Sequence, residues 1–255
     1  MTSPTTSSPP QSKPLEPSLL LNLPDNLRIW ERELEIRKAR QRLRTYQPYP
    51  KQAEFHAAGA LYRERLFLAG NRVGKTQSGG AEAAIHLSGR YPDWWEGKRF
   101  TKPIRAWAAG VTGLSTRDVV QAKLLGPPDN RAEWGTGFIP HDCLDLGKIA
   151  TGRGIPGAID MCPVRHHDAN GRFDGYSSLA FKSYEMGREK WQGSALELLW
   201  YDEEPDLDIY TEGLTRTNET GGIVYLTCTP LKGMSRVMKR FLMPFQADEE
   251  NAAAS

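Results

Sequence analysis

A short apolar strand that leads directly into a loop ending in Gly74-Lys75-Thr76 constrains this chain more than any other feature. The stretch reads LFLAGNRVGKT from Leu66 to Thr76. A triphosphate needs backbone N–H groups that point inward, a cation that reaches its β- and γ-phosphates and a hydroxyl that holds Mg²⁺. The glycine, the lysine and the threonine supply these groups. The sequence therefore predicts a phosphate-binding loop between a strand and a helix.

The loop departs from the spacing G-x-x-x-x-G-K-[ST] in two places. Ala69 stands where the first glycine is expected, and Arg72 adds a cation inside the loop. Short motifs recur by chance, so the loop alone leaves a nucleotide site and an ordinary turn both open. The candidate ATP-binding residues of the loop are Gly70, Asn71, Arg72, Val73, Gly74, Lys75 and Thr76.

Composition sets broad limits. The chain has 255 residues, 25% of them charged and 39% hydrophobic, with a net charge of +2. This length suits one sizeable core with flexible arms. The small net charge neither requires nor excludes nucleic acid, because a local basic face does not show in a sum. No apolar run is long enough for a bilayer, and three scattered cysteines indicate a reducing cytosol without disulfides.

Strands alternate with helices along the chain. This order predicts an α/β fold, with a mostly parallel sheet flanked by helices on both faces. Strands are predicted at 104–110, 179–183, 196–201 and 223–227, while the Gly-rich segment 129–174 has no assignment.

The N-terminal part is expected to be helical after a disordered start. Residues 1–23, rich in Pro, Ser and Thr, are expected to be a disordered arm. A stretch rich in Glu, Arg and Leu predicts a helix over 26–46 with Asp25 as its N-cap. A second helix is predicted over 51–62. The expected division is an ATPase domain over 24–245, with 24–62 as its helical lead-in, and a flexible tail over 246–255.

A second apolar strand ends in Asp202-Glu203-Glu204. A carboxylate at the C-terminal end of a buried parallel strand suits a Mg²⁺–nucleotide site. Asp202 and Thr76 are the candidate Mg²⁺ ligands, and Glu203 is the candidate base that polarises the attacking water. Adjacent side chains on a strand point to opposite faces, so the strand must end at Asp202 for both groups to reach the loop. Glu204 stays open as the base, and a solvated acidic turn stays open for the motif.

A third apolar strand, GIVYLTCTP, ends in Thr227 and Thr229. Hydroxyls at such a strand end would lie beside the γ-phosphate, sense its presence and pass the change to the next segment. A plain Thr-Pro turn is the alternative.

Taken together, these segments resemble the large terminase subunit of tailed bacteriophages, the ATPase of the DNA-packaging motor. The resemblance covers most of residues 46–245. It implies a P-loop NTPase fold of the RecA/ASCE-like type with a helical N-terminal extension, and ATP and Mg²⁺ as cofactors. It rests on LAGNRVGKT, on GRYPDWWEG with RAWAAGVT, on FKSYEMGREKWQG, on LLWYDEEP and on LTCTPLKGMS.

The resemblance also implies roles for individual residues. Asp202 and Glu203 match the metal ligand and the catalytic base, Lys75 matches the catalytic lysine, and Thr227 and Thr229 match the coupling motif. The irregular first position of the loop and its basic residue are likewise similar to terminases.

An adenine-recognising glutamine is expected upstream of the loop, and Gln52 matches it. An amide both donates to and accepts from the adenine edge. Tyr46 or Tyr49 would stack on the base, and a glutamine exposed on a helix surface is the alternative reading.

An arginine near the γ-phosphate is also expected, and in such motors it contributes ~10³–10⁵ in rate. The spot that matches the family holds Gln192-Gly193, so the match fails there. Arg188 is the candidate arginine finger, and the other candidates are Lys190, Arg216 and Arg72.

The implied function is a motor that couples ATP hydrolysis to translocation of double-stranded DNA into the procapsid. Its implied partners are the portal protein, the small terminase subunit and further copies of the chain in a pentameric ring. The implied location is the host cytoplasm, with transient docking on the portal and no place in the mature virion. Nothing after Pro230 resembles the carboxylates of the family's nuclease domain, so no nuclease activity is expected.

Two other functions remain open at this point. One is a helicase- or recombinase-like DNA-dependent P-loop ATPase, and the other is a structural component that binds nucleotide without turnover. The segment CPVRHHD, from Cys162 to Asp168, is expected to be a polar loop, because a structural zinc site needs four ligands and no second pair has suitable spacing.

Overall fold

A largely parallel sheet forms the centre of the protein. The computed structural model describes residues 23–152, 154–230 and 233–243, and within these ranges seven strands make one sheet. The order is β1-β7-β6-β2-β5-β4-β3, in which β1, β7, β6, β2 and β5 are parallel and β4 and β3 run antiparallel at one edge. The strands are β1 Glu64–Leu68, β2 Arg105–Gly110, β3 Ala150–Thr151, β4 Ile159–His167, β5 Phe173–Ser183, β6 Leu198–Asp202 and β7 Ile223–Cys228.

Helices precede the first strand and cover both faces of the sheet. A π-helical segment, Thr116–Gln121, joins α5 to α6. The α-helices are α1 Leu23–Ala39, α2 Arg42–Thr45, α3 Pro50–Ala57, α4 Lys75–Ser88, α5 Gly113–Ser115, α6 Ala122–Leu125, α7 Leu207–Asn218 and α8 Arg236–Leu242. No helix among the described residues has the length and apolar character needed to cross a membrane.

The sheet is buried on both of its faces. Ala106 and Ala108 of β2 pack with α4 in one apolar cluster, whereas Trp107 and Ala109 pack with α7 in the other. This alternation follows from the period of two in a strand, and burial on both faces explains why the parallel strands read as continuous apolar runs. The predicted α/β architecture is confirmed.

The small residues of α4 let that helix lie close to the sheet. A Cβ atom added at Gly79 would lie 2.5 Å from Nε1 of Trp200 on β6. Tyr225 on β7 donates its hydroxyl proton to the carbonyl oxygen of Gly79 at 2.9 Å. Close packing fixes the distance between the start of α4 and the ends of β6 and β7.

The N-terminal helices differ from the prediction in their boundaries. The predicted helix over 26–46 is broken at Arg40 and Gln41, where a turn separates α1 from α2. The first helix begins at Leu23, so Asp25 lies inside it and is not its N-cap. The second predicted helix ends at Ala57 and continues as a 3₁₀ turn over Ala58–Ala60. The rest of the predicted arm, 1–22, and the predicted tail, 246–255, lie outside the described residues.

The unassigned segment contains a strand that the sequence analysis missed. β4 pairs with β5, which begins six residues before its predicted start. Cys162 and His166 therefore lie on β4 with buried side chains, and the expectation of a polar loop was wrong. His166 Nδ1 lies 2.6 Å from Asp174 Oδ1. Among the residues that the structure describes, no cluster of His, Cys, Asp and Glu side chains could hold a metal ion.

A buried charged cluster joins α3, β1 and α4. Glu82 on α4 accepts hydrogen bonds from Arg65 on β1, and its carboxylate lies 2.8 Å from His56 Nδ1. Arg65 also donates to the carbonyl oxygen of Phe55 at 2.7 Å. Burial raises the pKa of Glu82, but the charge of Arg65 and the bonds from His56 and His86 outweigh it and hold that pKa well below its usual range. The cluster therefore keeps a carboxylate charged inside the core.

Removing this carboxylate is expected to destabilise the fold strongly. We expect Glu82→Ala to lower the free energy of unfolding by about 3–5 kcal/mol, because Arg65 would be left buried without its counter-charge. Chemical denaturation followed by circular dichroism measures this. Glu54→Ala is the matched control, since Glu54 pairs with Lys51 on an exposed face of α3, and it should change stability by no more than about 0.5 kcal/mol. Equal effects of the two substitutions would contradict the prediction.

Candidate active site

The predicted phosphate loop connects β1 to α4 in the structure. Gly74, the residue before α4, has a left-handed backbone with φ of 85°, and Arg72 has φ of 64°. Lys75 is buried, and its Nζ donates to the carbonyl oxygen of Gly70 at 2.7 Å. The ammonium group thus lies across the loop, at the N-terminus of a helix, where anions bind favourably.

Asp202 lies at the end of β6 and faces the start of α4. Its Oδ1 accepts one hydrogen bond from Thr76 Oγ1 at 2.9 Å and another from Thr227 Oγ1 at 2.8 Å. Burial raises the pKa of Asp202 to about 6, although the bonds from Thr227 and Thr76 act in the opposite direction. A buried carboxylate beside a hydroxyl is an oxygen donor set of the kind that Mg²⁺ prefers. Thr76 and Asp202 therefore fit the predicted metal site.

Glu203 leaves the strand and points to the loop. Its φ is 66°, and its backbone N–H donates to the carbonyl oxygen of Thr227 at 2.9 Å. Its Oε2 accepts from the backbone N–H of Thr229 at 3.1 Å, and Thr229 Oγ1 donates to Asn71 Oδ1 at 3.1 Å. The prediction that the strand ends at Asp202 is confirmed, and the two carboxylates serve the same side of the site.

The rival base, Glu204, faces another element. It is buried and accepts a hydrogen bond from the hydroxyl of Ser235, which is the N-cap residue of α8. The contacts of Glu204 therefore lead to α8, whereas those of Glu203 lead to Thr229 and Asn71. This difference favours Glu203 as the group that orients water.

Tyr184 is a site residue that the sequence analysis missed. Its buried hydroxyl lies 2.9 Å from the carbonyl oxygen of Asp202 and 2.8 Å from that of Glu203. It follows β5, and the available signal was its place within FKSYEMGREKWQG, directly after a predicted strand. Tyr184 holds the backbone of both carboxylates where the strand ends.

The upstream residues lie beside the loop in a different way from the prediction. Gln52 is only 2% exposed, and its Nε2 donates to the carbonyl oxygen of Gly74 at 3.3 Å. The expectation that Tyr46 stacks on a base is corrected, because its ring is 5% exposed and packs edge-on against Trp94 and Phe138. Tyr49 is 71% exposed. Tyr49 and Val73 line a groove of about 940 Å³ beside the loop, which is a candidate place for a base.

The candidate arginine finger does not contact the loop. The side chain of Arg188 is 61% exposed, and its Nε donates to Glu212 on α7 at 3.2 Å. Arg216 pairs with the same carboxylate at 3.1 Å. The structure therefore brings together the loop, Asp202, Glu203, Thr227 and Thr229, and leaves Arg188 on the side of α7.

Comparisons with known proteins decide the family. The family model described as terminase large subunit, T4likevirus-type, N-terminal, matches residues 66–254. The chain belongs to the terminase large subunit family. A terminase large subunit of Salmonella phage P22 is 43% identical over 209 residues, which cover 77% of this chain and 42% of the P22 protein. The terminase chain thus spans less than half the length of this relative.

Solved structures agree on the fold. The large terminase ATPase domain of Thermus phage P74-26 matches with a TM-score of 0.54 and 17% identity, over 80% of this chain and 72% of that one. The large terminase of a second, thermophilic bacteriophage matches with a TM-score of 0.50 and 14% identity, over 80% and 44%. The predicted P-loop NTPase fold is confirmed, and the terminase chain corresponds to the ATPase domain of the large subunit.

The role of Tyr184 can be separated from its contribution to stability. We expect Tyr184→Phe to lower ATP turnover by about 10- to 100-fold, because the two carboxylates lose the bond that holds their backbone in place. Tyr210→Phe is the matched control, since its buried hydroxyl donates to Glu64 at the far end of β1. Thermal melting should show similar losses for both variants. The prediction is wrong if turnover falls equally in both.

Proposed function

We propose that the terminase chain hydrolyses ATP at this loop and couples hydrolysis to translocation of double-stranded DNA into the procapsid. The observation that carries the proposal is the convergence of Thr76, Asp202 and Thr227, with Glu203 beside them on Thr229. These groups come from the loop helix and from two neighbouring parallel strands, at their C-terminal ends. Ligands bind at that edge in open α/β sheets.

The residues of the site divide the chemical work. The Lys75 ammonium and the N–H groups of the loop, from Gly70 to Thr76, bind the phosphates. Thr76 and Asp202 would hold Mg²⁺, which would neutralise charge that develops on the phosphate oxygens. Glu203 orients the water for attack in line with the leaving group.

The path from the site to the rest of the protein runs through Thr229. Its backbone N–H holds Glu203, and its hydroxyl holds Asn71 in the loop. Loss of the γ-phosphate changes what the loop contacts, so Asn71 and Thr229 move together. Such a local change can bias an element with two stable arrangements, and in a motor that element grips DNA.

The complete motor needs more than one copy. Arg188 is proposed as the arginine finger, and its exposed position suits a group that reaches the site of a neighbouring copy after leaving Glu212. The proposed assembly is a pentameric ring on the portal of the procapsid. The small terminase subunit and DNA are the other proposed partners, and the host cytoplasm is the proposed location.

The two candidate bases give opposite predictions. We expect Glu203→Gln to keep ATP affinity but to lower turnover by about 10²–10⁴-fold, because an amide accepts a water proton poorly. Glu204→Gln should stay within about threefold of the parent, since its contact with Ser235 survives as a hydrogen bond to an amide oxygen. Single-turnover hydrolysis and equilibrium binding measure the two effects. A large loss in Glu204→Gln alone would transfer the role to Glu204.

A packaging assay tests the motor function. We expect the chain to need portal-bearing procapsids and linear double-stranded DNA for full ATP turnover, and to render that DNA resistant to nuclease in an ATP-dependent way. Asp202→Asn should abolish both, by loss of the metal ligand. Duplex unwinding without nuclease protection would instead support a helicase-like ATPase. Nucleotide binding with no turnover under any of these conditions would support a structural component.

A further inference from the structure

The carbonyl oxygen of Gly74 is a convergence point beside the phosphate loop. It accepts hydrogen bonds from the backbone N–H of Ser78 at 2.9 Å, from Ser78 Oγ at 3.1 Å and from Gln52 Nε2 at 3.3 Å. A Cβ atom added at Gly74 would lie 2.6 Å from Gln52 Nε2. The amide of Gln52 therefore packs directly on the glycine that precedes Lys75.

The other end of the Gln52 amide is also engaged. Its Oε1 accepts from the backbone N–H of Tyr49 at 2.9 Å, which closes the first turn of α3. A flipped amide would set donor against donor at Tyr49 and acceptor against acceptor at Gly74, so the contacts fix its orientation. A buried amide that serves both partners has no free edge for a purine.

Tyr46 braces this arrangement from inside the protein. Its hydroxyl lies 3.4 Å from Gln52 Oε1, 3.4 Å from Ser78 Oγ and 3.1 Å from His56 Nε2. His56 in turn contacts Glu82, the carboxylate of the buried charged cluster. Helix α3 is thereby tied to α4 on the side of the loop that faces the core.

The planar peptide turns this contact into control over the loop. In a trans peptide the C=O and the following N–H point in opposite directions. Holding the Gly74 oxygen toward Gln52 and Ser78 therefore directs the N–H of Lys75 the other way. That N–H belongs to the first residue of α4, where helix N–H groups lack intrahelical partners and bind anions.

We propose that Gln52 is a positioning residue that sets the phosphate loop through the Gly74 carbonyl, with Tyr46 as its brace, and that it does not read the base. This inference rests on the proposed nucleotide site. Its consequence is that the polyphosphate part of a nucleotide depends on Gln52, whereas discrimination between adenine and guanine does not. An adenine-reading glutamine would have the reverse effect.

The test compares three Mg²⁺-loaded ligands, which are ATP, GTP and inorganic tripolyphosphate. We expect Gln52→Ala to weaken all three by the same factor, roughly tenfold, because one anchoring hydrogen bond is lost. Gln52→Glu should match Gln52→Ala, since a carboxylate keeps the acceptor toward Tyr49 but cannot donate to Gly74. Tyr46→Phe should weaken all three equally by about threefold. Isothermal titration calorimetry gives the affinities.

Matched controls separate positioning from folding. Gln121 is a buried amide that donates to Gly157 and accepts from Ile159, far along the chain from the loop. Gln121→Ala should therefore lower the melting temperature without changing the three affinities. A loss confined to ATP in Gln52→Ala, or no loss for any ligand, would overturn the inference. If the parent chain binds the ligands no better than Lys75→Ala does, the nucleotide site and the inference both fail.

Discussion

The carboxylate of Asp202 is the contact on which the site depends. It receives the hydroxyl of Thr76 from α4 and the hydroxyl of Thr227 from β7, while it belongs to β6 itself. β6 and β7 place Asp202 opposite Thr227 in register, and Gly79 lets α4 approach Trp200 closely enough for Thr76 to reach. The geometry of the phosphate end therefore follows from sheet register and from small residues in a helix.

Much of this arrangement could be predicted from the sequence because its signals are local. An apolar run that ends in Asp202 is visible without knowing what lies beside it, and a parallel sheet brings such strand ends to one edge. The break after Ala39, the strand β4 and the role of Tyr184 have no comparable local signal. Each depends on contacts between distant segments, such as the pairing of β4 with β5 or the Tyr184 hydroxyl on Asp202.

Gln52 shows a second limit of sequence reasoning. Its position upstream of the loop and its chemistry were both predicted, but an amide offers the same donors and acceptors to a purine and to a peptide. Which of them it meets depends on the burial of α3 against α4, and Tyr46, Ser78 and Gly74 decide that burial. The residue is thus placed in the site by the sequence, and its partner is chosen by packing.

Backbone strain shows how the site aims its side chains. Among the described residues, Arg72 and Glu203 are the non-glycine residues with positive φ, and both belong to the loop and the acidic strand end. A left-handed residue costs about 1–2 kcal/mol, and glycine would avoid that cost. Yet glycine has no carboxylate, and continued strand geometry would turn Glu203 to the face opposite Asp202. The left-handed turn, held by Tyr184 and Thr227, is what lets two consecutive acids act on one nucleotide.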